Sequence, residues 1–229
     1  MFASKLTNRI VTDFLKNYLE PLSLLLYAAI MVLVQKVARR NYYKSLFYYY
    51  AIAVGIMIFA IIADQNCWIY NLYFFANITI LSLYFRSIYV NVFHRKIVGL
   101  FMVINTSGFL YSNRSLSLFN NDINSEIIVL YFLSGVIFSL IYFYQILKNV
   151  TDKNILLNFD FWFVSGYLIY FLGAFFVVLY YNNLHVLVGT DVWKIHRGNM
   201  WMIHNIVLFI SSVISFTGYL KIVQNQKSL

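Results

Sequence analysis

The chain has 229 residues, of which 62% are hydrophobic and 11% charged, and its mean hydropathy is +0.72. Soluble domains are about a quarter charged, so this composition excludes an ordinary soluble domain and predicts an integral membrane protein. The formal charge of +9 does not indicate nucleic-acid binding, because the basic residues lie mostly between apolar segments, where they set membrane topology. A single proline and continuously apolar segments predict an all-α transmembrane bundle.

Residues 1–20 precede the first long apolar segment and have no continuous apolar core of their own. Apolar residues recur every four positions at Phe2, Leu6, Ile10 and Phe14, with basic residues elsewhere. This spacing predicts an amphipathic helix that lies in the membrane interface. A flexible leader is the alternative.

Seven apolar segments follow, each long enough to cross a bilayer as a helix of roughly 20 residues. They cover residues 21–37, 46–64, 69–90, 97–113, 126–147, 160–181 and 200–221. We therefore predict a seven-helix transmembrane domain over residues 21–221 and a short cytoplasmic tail over 222–229. The connections are short, and the longest of them covers about residues 182–199.

The lysine and arginine residues are distributed unequally between the two sides of the predicted bundle. One side holds eleven of the seventeen, among them Lys36, Arg40, Arg86 and Lys148, and the other side holds six. Since cytoplasmic connections carry the excess of Lys and Arg, the N-terminus is predicted outside and the C-terminus inside.

Polar residues within the spans are the default candidates for a site, because they are costly in the bilayer and normally face the bundle interior. Most of them fall in the outer half of the predicted bundle and would line an outward-facing, ligand-binding pocket. They are Asp64, Asn71, Asn77, Asn105, Trp201, His204 and Asn205. The alternative is that these groups only join helices through hydrogen bonds.

The sixth span contains Gly166 and Gly173 on either side of Tyr170. Small residues two turns apart predict a face for close helix packing. Asp160 begins this span, where a negative charge suits the helix N-terminus, and we expect it to be a cytoplasmic helix start and not a buried catalytic acid. Arg86 is expected to reach the headgroups, with pairing to Asp160 as the alternative.

Tyrosine clusters such as residues 48–50 fall near the predicted interfaces and favour aromatic belts.

Known catalytic and cofactor motifs are missing from the sequence. The single cysteine, Cys67, excludes a disulfide and a cysteine-based zinc site. The histidines have no zinc-ligand spacing, although His185, His196, His204 and an outer acid could gather around a metal. The last span has no lysine for a retinal Schiff base. We therefore predict neither a metal nor a cofactor, and the sequence does not indicate an enzyme.

The last two spans resemble those of small seven-helix membrane proteins of Bacteroidetes. The shared features are a Trp-containing start, a Gly–Leu–Ile–Tyr–Phe–x–Gly core and a Trp–x–Ile–His opening of the last helix. The matching residues here are Trp162, Gly166, Tyr170, Phe171, Gly173, Trp201, Ile203 and His204. Such proteins are often encoded beside sensor histidine kinases, so the resemblance implies a signalling partnership without defining an activity.

These observations predict a multi-pass protein of the bacterial inner membrane that senses or relays a signal with a membrane or cytosolic partner. The bilayer itself and a histidine kinase or an envelope complex are the expected partners, and nucleic acid is not. Two alternatives remain open: a structural subunit of a membrane complex, and an intramembrane enzyme or transporter.

Overall fold

The computed structural model describes residues 11–12, 14–38, 40–62, 67–112, 125–148, 155–183 and 191–227. These residues are almost entirely helical and form no strand, which confirms the all-α prediction. The long helices in this part of the chain are α1 (Leu19–Ala38), α2 (Asn41–Ile62), α3 (Cys67–Ile88), α4 (Val92–Ser112), α5 (Ser125–Lys148), α6 (Phe159–Asn183) and α7 (Asp191–Lys227). A 3-10 turn over Ile155–Leu157 precedes α6.

Each predicted span coincides with one of these helices. By length and composition, α1, α5, α6 and α7 contain stretches that are able to cross a membrane: Leu19–Ala38, Ile128–Lys148, Phe159–Tyr180 and Gly198–Gln226. Within the described residues, the chain is therefore helical and has four helices suited to a bilayer. Seven crossings and their orientation stay predictions.

The observed helices differ most from the hydropathy prediction at the two ends of α7 and just before α1. Helix α7 begins at Asp191, inside the segment expected to be a connection, and continues to Lys227 through most of the predicted tail. Hydropathy detects only the part of a helix that suits lipid, so a polar helical extension escapes it. Before α1, residues 14–17 are helical, and bonds from Tyr18 N–H to Phe14 O and from Leu22 N–H to Tyr18 O connect them to α1.

The helices pack as a bundle in which α6 and α7 form the most extensive contact. Helix α1 packs against α2 and α7, and α6 packs against α5 and α7. Helix α3 contacts α2, α4 and α5, so α4 packs on the outside of α3 and α5. Consecutive helices joined by short connections run in opposite directions. We name the two ends of the bundle after Glu20, near the start of α1, and Asp160, near the start of α6.

One face of α6 supplies the centre of the core. Its buried residues recur at the three- and four-residue spacing of a helix face. They are Asp160, Phe163, Val164, Tyr167, Tyr170, Phe171 and Ala174. Rings from α1, α3 and α5 contact this face in edge-to-face or tilted geometry, as in the pairs Tyr27–Tyr167, Tyr84–Phe163 and Tyr131–Phe171. Such ring pairs add about 0.5–1.5 kcal/mol each beyond area burial.

Glycines bring α6 and α7 close together. A Cβ atom at Gly166 would lie 2.6 Å from the carbonyl oxygen of Ser211, and one at Gly173 would lie 2.8 Å from Val207 Cγ1. The first neighbour is backbone and cannot rotate away. Any side chain at Gly166 therefore forces the two helices apart.

We predict that Gly166→Ala lowers the melting temperature of the detergent-solubilised protein. Overpacking a well-filled interface costs about 1–3 kcal/mol, which exceeds the gain in helix propensity of about 1 kcal/mol. Gly55→Ala is the matched control, because no atom lies within 4 Å of a Cβ at that helical position. It should leave the melting temperature unchanged or raise it. Equal effects of the two substitutions, measured by scanning fluorimetry, would contradict the close α6–α7 contact.

Candidate functional site

The most completely paired charged group in the described part of the chain is Asp160, whose side chain is only 3% exposed. Its Oδ1 accepts hydrogen bonds from the hydroxyls of Tyr43 at 2.9 Å and Tyr84 at 3.0 Å. Its Oδ2 accepts one from the Tyr42 hydroxyl at 3.0 Å and a longer contact from Arg40 Nη1 at 3.4 Å. We call these five residues the Asp160 clasp.

The sequence positions each member of the clasp by simple local rules. The Asn158 side chain accepts the backbone N–H of Asp160 at 3.0 Å and so satisfies one free donor at the start of α6. Arg40 lies in the connection between α1 and α2, and Tyr42 and Tyr43 follow in the first turn of α2. Tyr84 lies in the last turns of α3. The clasp therefore joins α2, α3 and α6 at one end of the bundle.

Asp160 lies at a helix start, as expected, but its side chain is buried, and the alternative that Arg86 pairs with it was wrong. The helix does begin at Phe159, but the carboxylate points into the bundle, where phenols replace water as hydrogen-bond donors. Its ion-pair partner is Arg40, whereas Arg86 is exposed. A linear sequence does not show that three tyrosines from two other helices meet at one carboxylate.

The tyrosine hydroxyls hold the Asp160 carboxylate more firmly than Arg40 does. The Arg40 side chain is 57% exposed, so solvent and salt screen its attraction. Its hydrogen bond to the Tyr42 hydroxyl, at 2.7 Å, and the nearby Asp160 charge raise the pKa of Arg40 above its ordinary value, so it stays charged. The clasp therefore holds the negative charge of Asp160 beside the positive charge of Arg40, in an environment that is otherwise aromatic.

At the opposite end of the bundle, a second group of polar and aromatic side chains meets between α1, α6 and α7. We call Glu20, Tyr170, Trp201, His204 and Asn205 the Glu20 cluster. The His204 ring stacks on Trp201 with centroids 5.1 Å apart and meets Tyr170 edge-on at 5.4 Å. Glu20 is buried and lies one helical turn after Lys16, whose carbonyl oxygen accepts a hydrogen bond from Asn205.

Asn205 connects this cluster to the segment that precedes α1. Its Nδ2 donates to the carbonyl oxygens of Leu15 at 3.1 Å and Lys16 at 3.0 Å. Both bonds require the nitrogen on that side, so the amide orientation is fixed by its partners. The Oδ1 of Asn205 is buried and has no hydrogen-bond partner in the described part of the chain.

The Glu20 cluster contains three of the residues predicted to line the pocket: Trp201, His204 and Asn205. Asn105 is instead bonded across the α4–α5 contact, donating to Phe101 O at 2.8 Å and Ser134 Oγ at 2.9 Å. Asn77 is buried, and its Oδ1 has no partner among the described residues.

Two further predicted pocket residues cannot be placed in the same way. Asp64 lies outside the described residues, and only the backbone of Asn71, within α3, is described.

Glu20 and the clasp tyrosines are the site residues that the sequence prediction missed. Glu20 stands one residue before Pro21, at the start of an apolar segment, where an acid is read as an ordinary helix N-terminus. The tyrosines at 48–50 were expected to form an interfacial belt, but Tyr49 and Tyr50 are buried and only Tyr48 is exposed. Six tyrosine and phenylalanine residues in the segment 42–50 were the available signal for an aromatic interior.

The fold and these clusters define a helical bundle that buries a carboxylate at each end. Neither a known protein family, nor a curated protein, nor a solved structure matches the chain. The resemblance to the Bacteroidetes proteins therefore stays a prediction. Within the described ranges, no three His, Cys, Asp or Glu side chains are grouped as a metal site would require.

We predict that Tyr84→Phe destabilises the protein by about 1.5–3 kcal/mol, because it removes a hydrogen bond to a buried charged group. Tyr48→Phe is the control: that tyrosine is 54% exposed on α2, and we expect a change within about 0.5 kcal/mol. Urea or heat unfolding in the same micelles measures both. A loss at Tyr84 no larger than that at Tyr48 would show that the phenol does not hold Asp160.

Proposed function

We propose that this protein is a multi-pass signal-relay subunit of a bacterial inner membrane, with its N-terminus outside and its C-terminus in the cytoplasm. In this proposal the Glu20 cluster opens toward the outside and receives a ligand. The Asp160 clasp lies at the cytoplasmic end, where a separate partner protein, such as a histidine kinase, reads the arrangement of the helices.

The observation that carries this proposal is the double role of α6. One face of this helix carries Tyr170, which contacts His204 in the Glu20 cluster, and Asp160, which forms the clasp. Ten residues of helix span about 15 Å, so a rigid rod connects the two clusters. A shift or rotation of α6 at one end therefore changes hydrogen-bond distances at the other.

A ligand shifts this equilibrium only if it binds one packing of α6 and α7 more tightly than another. The contact at Gly166 and Gly173 allows two such packings to differ by a small displacement, because backbone meets backbone or short side chains there. Coupling between sites is typically 1–3 kcal/mol. The loss or gain of one phenol hydrogen bond at Asp160 is of that size.

A structural subunit of a membrane complex is the second candidate. The observation in its favour is the filled interior, in which tyrosine and phenylalanine rings from several helices contact one another. This candidate predicts a single rigid packing, so changes at the Glu20 cluster would leave the Asp160 end unmoved. An intramembrane enzyme or transporter is not favoured by any geometry among the described residues.

We predict that His204→Ala changes the structure at the Asp160 end. The reporter is a pair of nitroxide labels at Lys44→Cys and Lys221→Cys, both exposed positions, in a Cys67→Ser background. Pulsed electron resonance should show a shift of about 1–2 Å or a broadened distance distribution, as expected for helix shifts at packed interfaces.

Asn105→Ala is the matched control for this experiment. It also removes a buried polar group, but the hydrogen bonds of Asn105 to described residues are confined to α4 and α5. The label distances should then equal those of the parent protein. Identical distributions for His204→Ala and the parent would reject the relay and favour the structural subunit.

The partner is tested separately by purification in mild detergent followed by mass spectrometry. A histidine kinase that co-purifies with the parent protein and is lost with Tyr84→Phe would support signalling through the clasp. Retention of envelope machinery by both proteins would support the structural role instead.

A further inference from the structure

Glu20 is a buried acid near the start of α1. It is 6% exposed, and within the described part of the chain its carboxylate forms no ion pair. Lys16 stands one helical turn earlier, but its ammonium lies beside Gly198 and not in an ion pair with Glu20. A buried carboxylate is costly unless it takes up a proton or binds a cation, so the charged form of Glu20 favours a bound cation.

Two acceptor groups lie in the region where α1 begins and packs against α7. The Nδ2 of Asn205 donates to the carbonyl oxygens of Leu15 and Lys16, in the turn just before Glu20. The Oδ1 of Asn205 is buried and has no hydrogen-bond partner among the described residues. The Glu20 carboxylate adds two more acceptor oxygens on the adjoining turn of the same helix. A cation that donates several hydrogen bonds would satisfy both acceptor groups and balance the carboxylate charge.

Aromatic rings complete the cluster. Trp201 and His204 are stacked, Tyr170 meets His204 edge-on, and Phe132 meets both His204 and Tyr170. Faces of Trp and Tyr attract cations and repel anions through their quadrupoles. Charge, acceptors and aromatic faces therefore select the same chemistry.

We propose that the Glu20 cluster binds a primary ammonium group, with Glu20 as the counter-ion, Asn205 Oδ1 as a second acceptor and Trp201 as an aromatic wall. This inference rests on the proposed function, because it specifies the ligand class for the same site. A primary ammonium offers three donors, whereas a quaternary ammonium offers none and would leave both acceptors unpaired. The group has two sources: a small soluble amine or the headgroup of phosphatidylethanolamine.

The test uses the full-length protein in phosphatidylglycerol nanodiscs, titrated with ethanolamine while its melting temperature is recorded. Binding to the folded state raises the melting temperature by mass action, so a saturable rise is expected. Choline chloride at equal concentration matches ionic strength and carries a cation without donors. It should give no more than a small fraction of the rise.

Two variants locate the binding site. Glu20→Gln keeps the shape but not the charge, and it should weaken ethanolamine binding at least tenfold without lowering the melting temperature of the ligand-free protein. Trp201→Leu keeps Glu20 and should weaken binding about three- to tenfold, the range expected for a lost cation–π contact. The latter variant keeps the test valid if Glu20→Gln does not fold. Asn105→Ala, between α4 and α5, should bind ethanolamine as the parent does.

A lipid arm distinguishes the two sources of the ammonium group. If the headgroup is the ligand, phosphatidylethanolamine nanodiscs raise the melting temperature of the parent but not of Glu20→Gln, and phosphatidylcholine nanodiscs do not. Free ethanolamine then adds little in phosphatidylethanolamine discs. If a soluble amine is the ligand, the lipid exchange has no Glu20-dependent effect, and ethanolamine acts in every lipid.

The inference is overturned if neither source stabilises the protein, or if Glu20→Gln and Trp201→Leu respond as the parent does. Its failure is separable from that of the relay. Ammonium binding that depends on Glu20 but leaves the Lys44–Lys221 label distance unchanged would reject the relay alone. A distance change in His204→Ala without any ammonium binding would reject only the ligand class.

Discussion

The hydrogen bonding of one carboxylate determines how this bundle is arranged at one end. Asp160 accepts from three phenols and an arginine, and these donors come from α2, α3 and the connection before α2. A charge cannot remain in an aromatic interior unless its lone pairs are satisfied. The position of the α6 start relative to α2 and α3 is therefore constrained to within hydrogen-bond distance, and the aromatic rings of the core pack around that constraint.

Tyrosine performs two tasks in this interior that phenylalanine and serine perform separately. Its ring fills volume between helices, and its hydroxyl satisfies polar groups, as in the Tyr27–Ser211 and Tyr50–Tyr167 bonds. Such bonds between membrane helices are each modest, on average below about 1 kcal/mol. These hydrogen bonds matter mainly for geometry, because a phenol that must reach one partner fixes the rotation of its helix. They therefore define how the helices are oriented within each packing, and the proposed relay needs such definition in each of its states.

The helices were predictable from the sequence, because apolar length is a one-dimensional property. All seven predicted segments fall on helices, and the boundary errors occur where polar residues continue a helix beyond the apolar part, as in α7. The sites were less predictable, because they depend on which faces meet. Trp201, His204 and Asn205 lie close together in sequence, so a single helix is enough to bring them together. Glu20 joins them only through the packing of α1 against α7, and Asp160 meets Tyr84 only through the packing of α6 against α3.

The two buried carboxylates are chemically alike but differ in the hydrogen-bond donors and charges that surround them. Asp160 receives enough donors to satisfy both oxygens, so a ligand would have to displace phenols to reach it, and its role is to hold helices. Glu20 receives no ion-pair partner within the described residues and lies beside an unpartnered amide oxygen. In the proposed relay, a donor-rich cation offsets the cost of that arrangement when it binds. In a relay, the end that receives the ligand must lack hydrogen-bond donors until the ligand binds. The end that reports binding must have all its hydrogen bonds, so that it can lose one. The distribution of donors over the two ends matches that requirement.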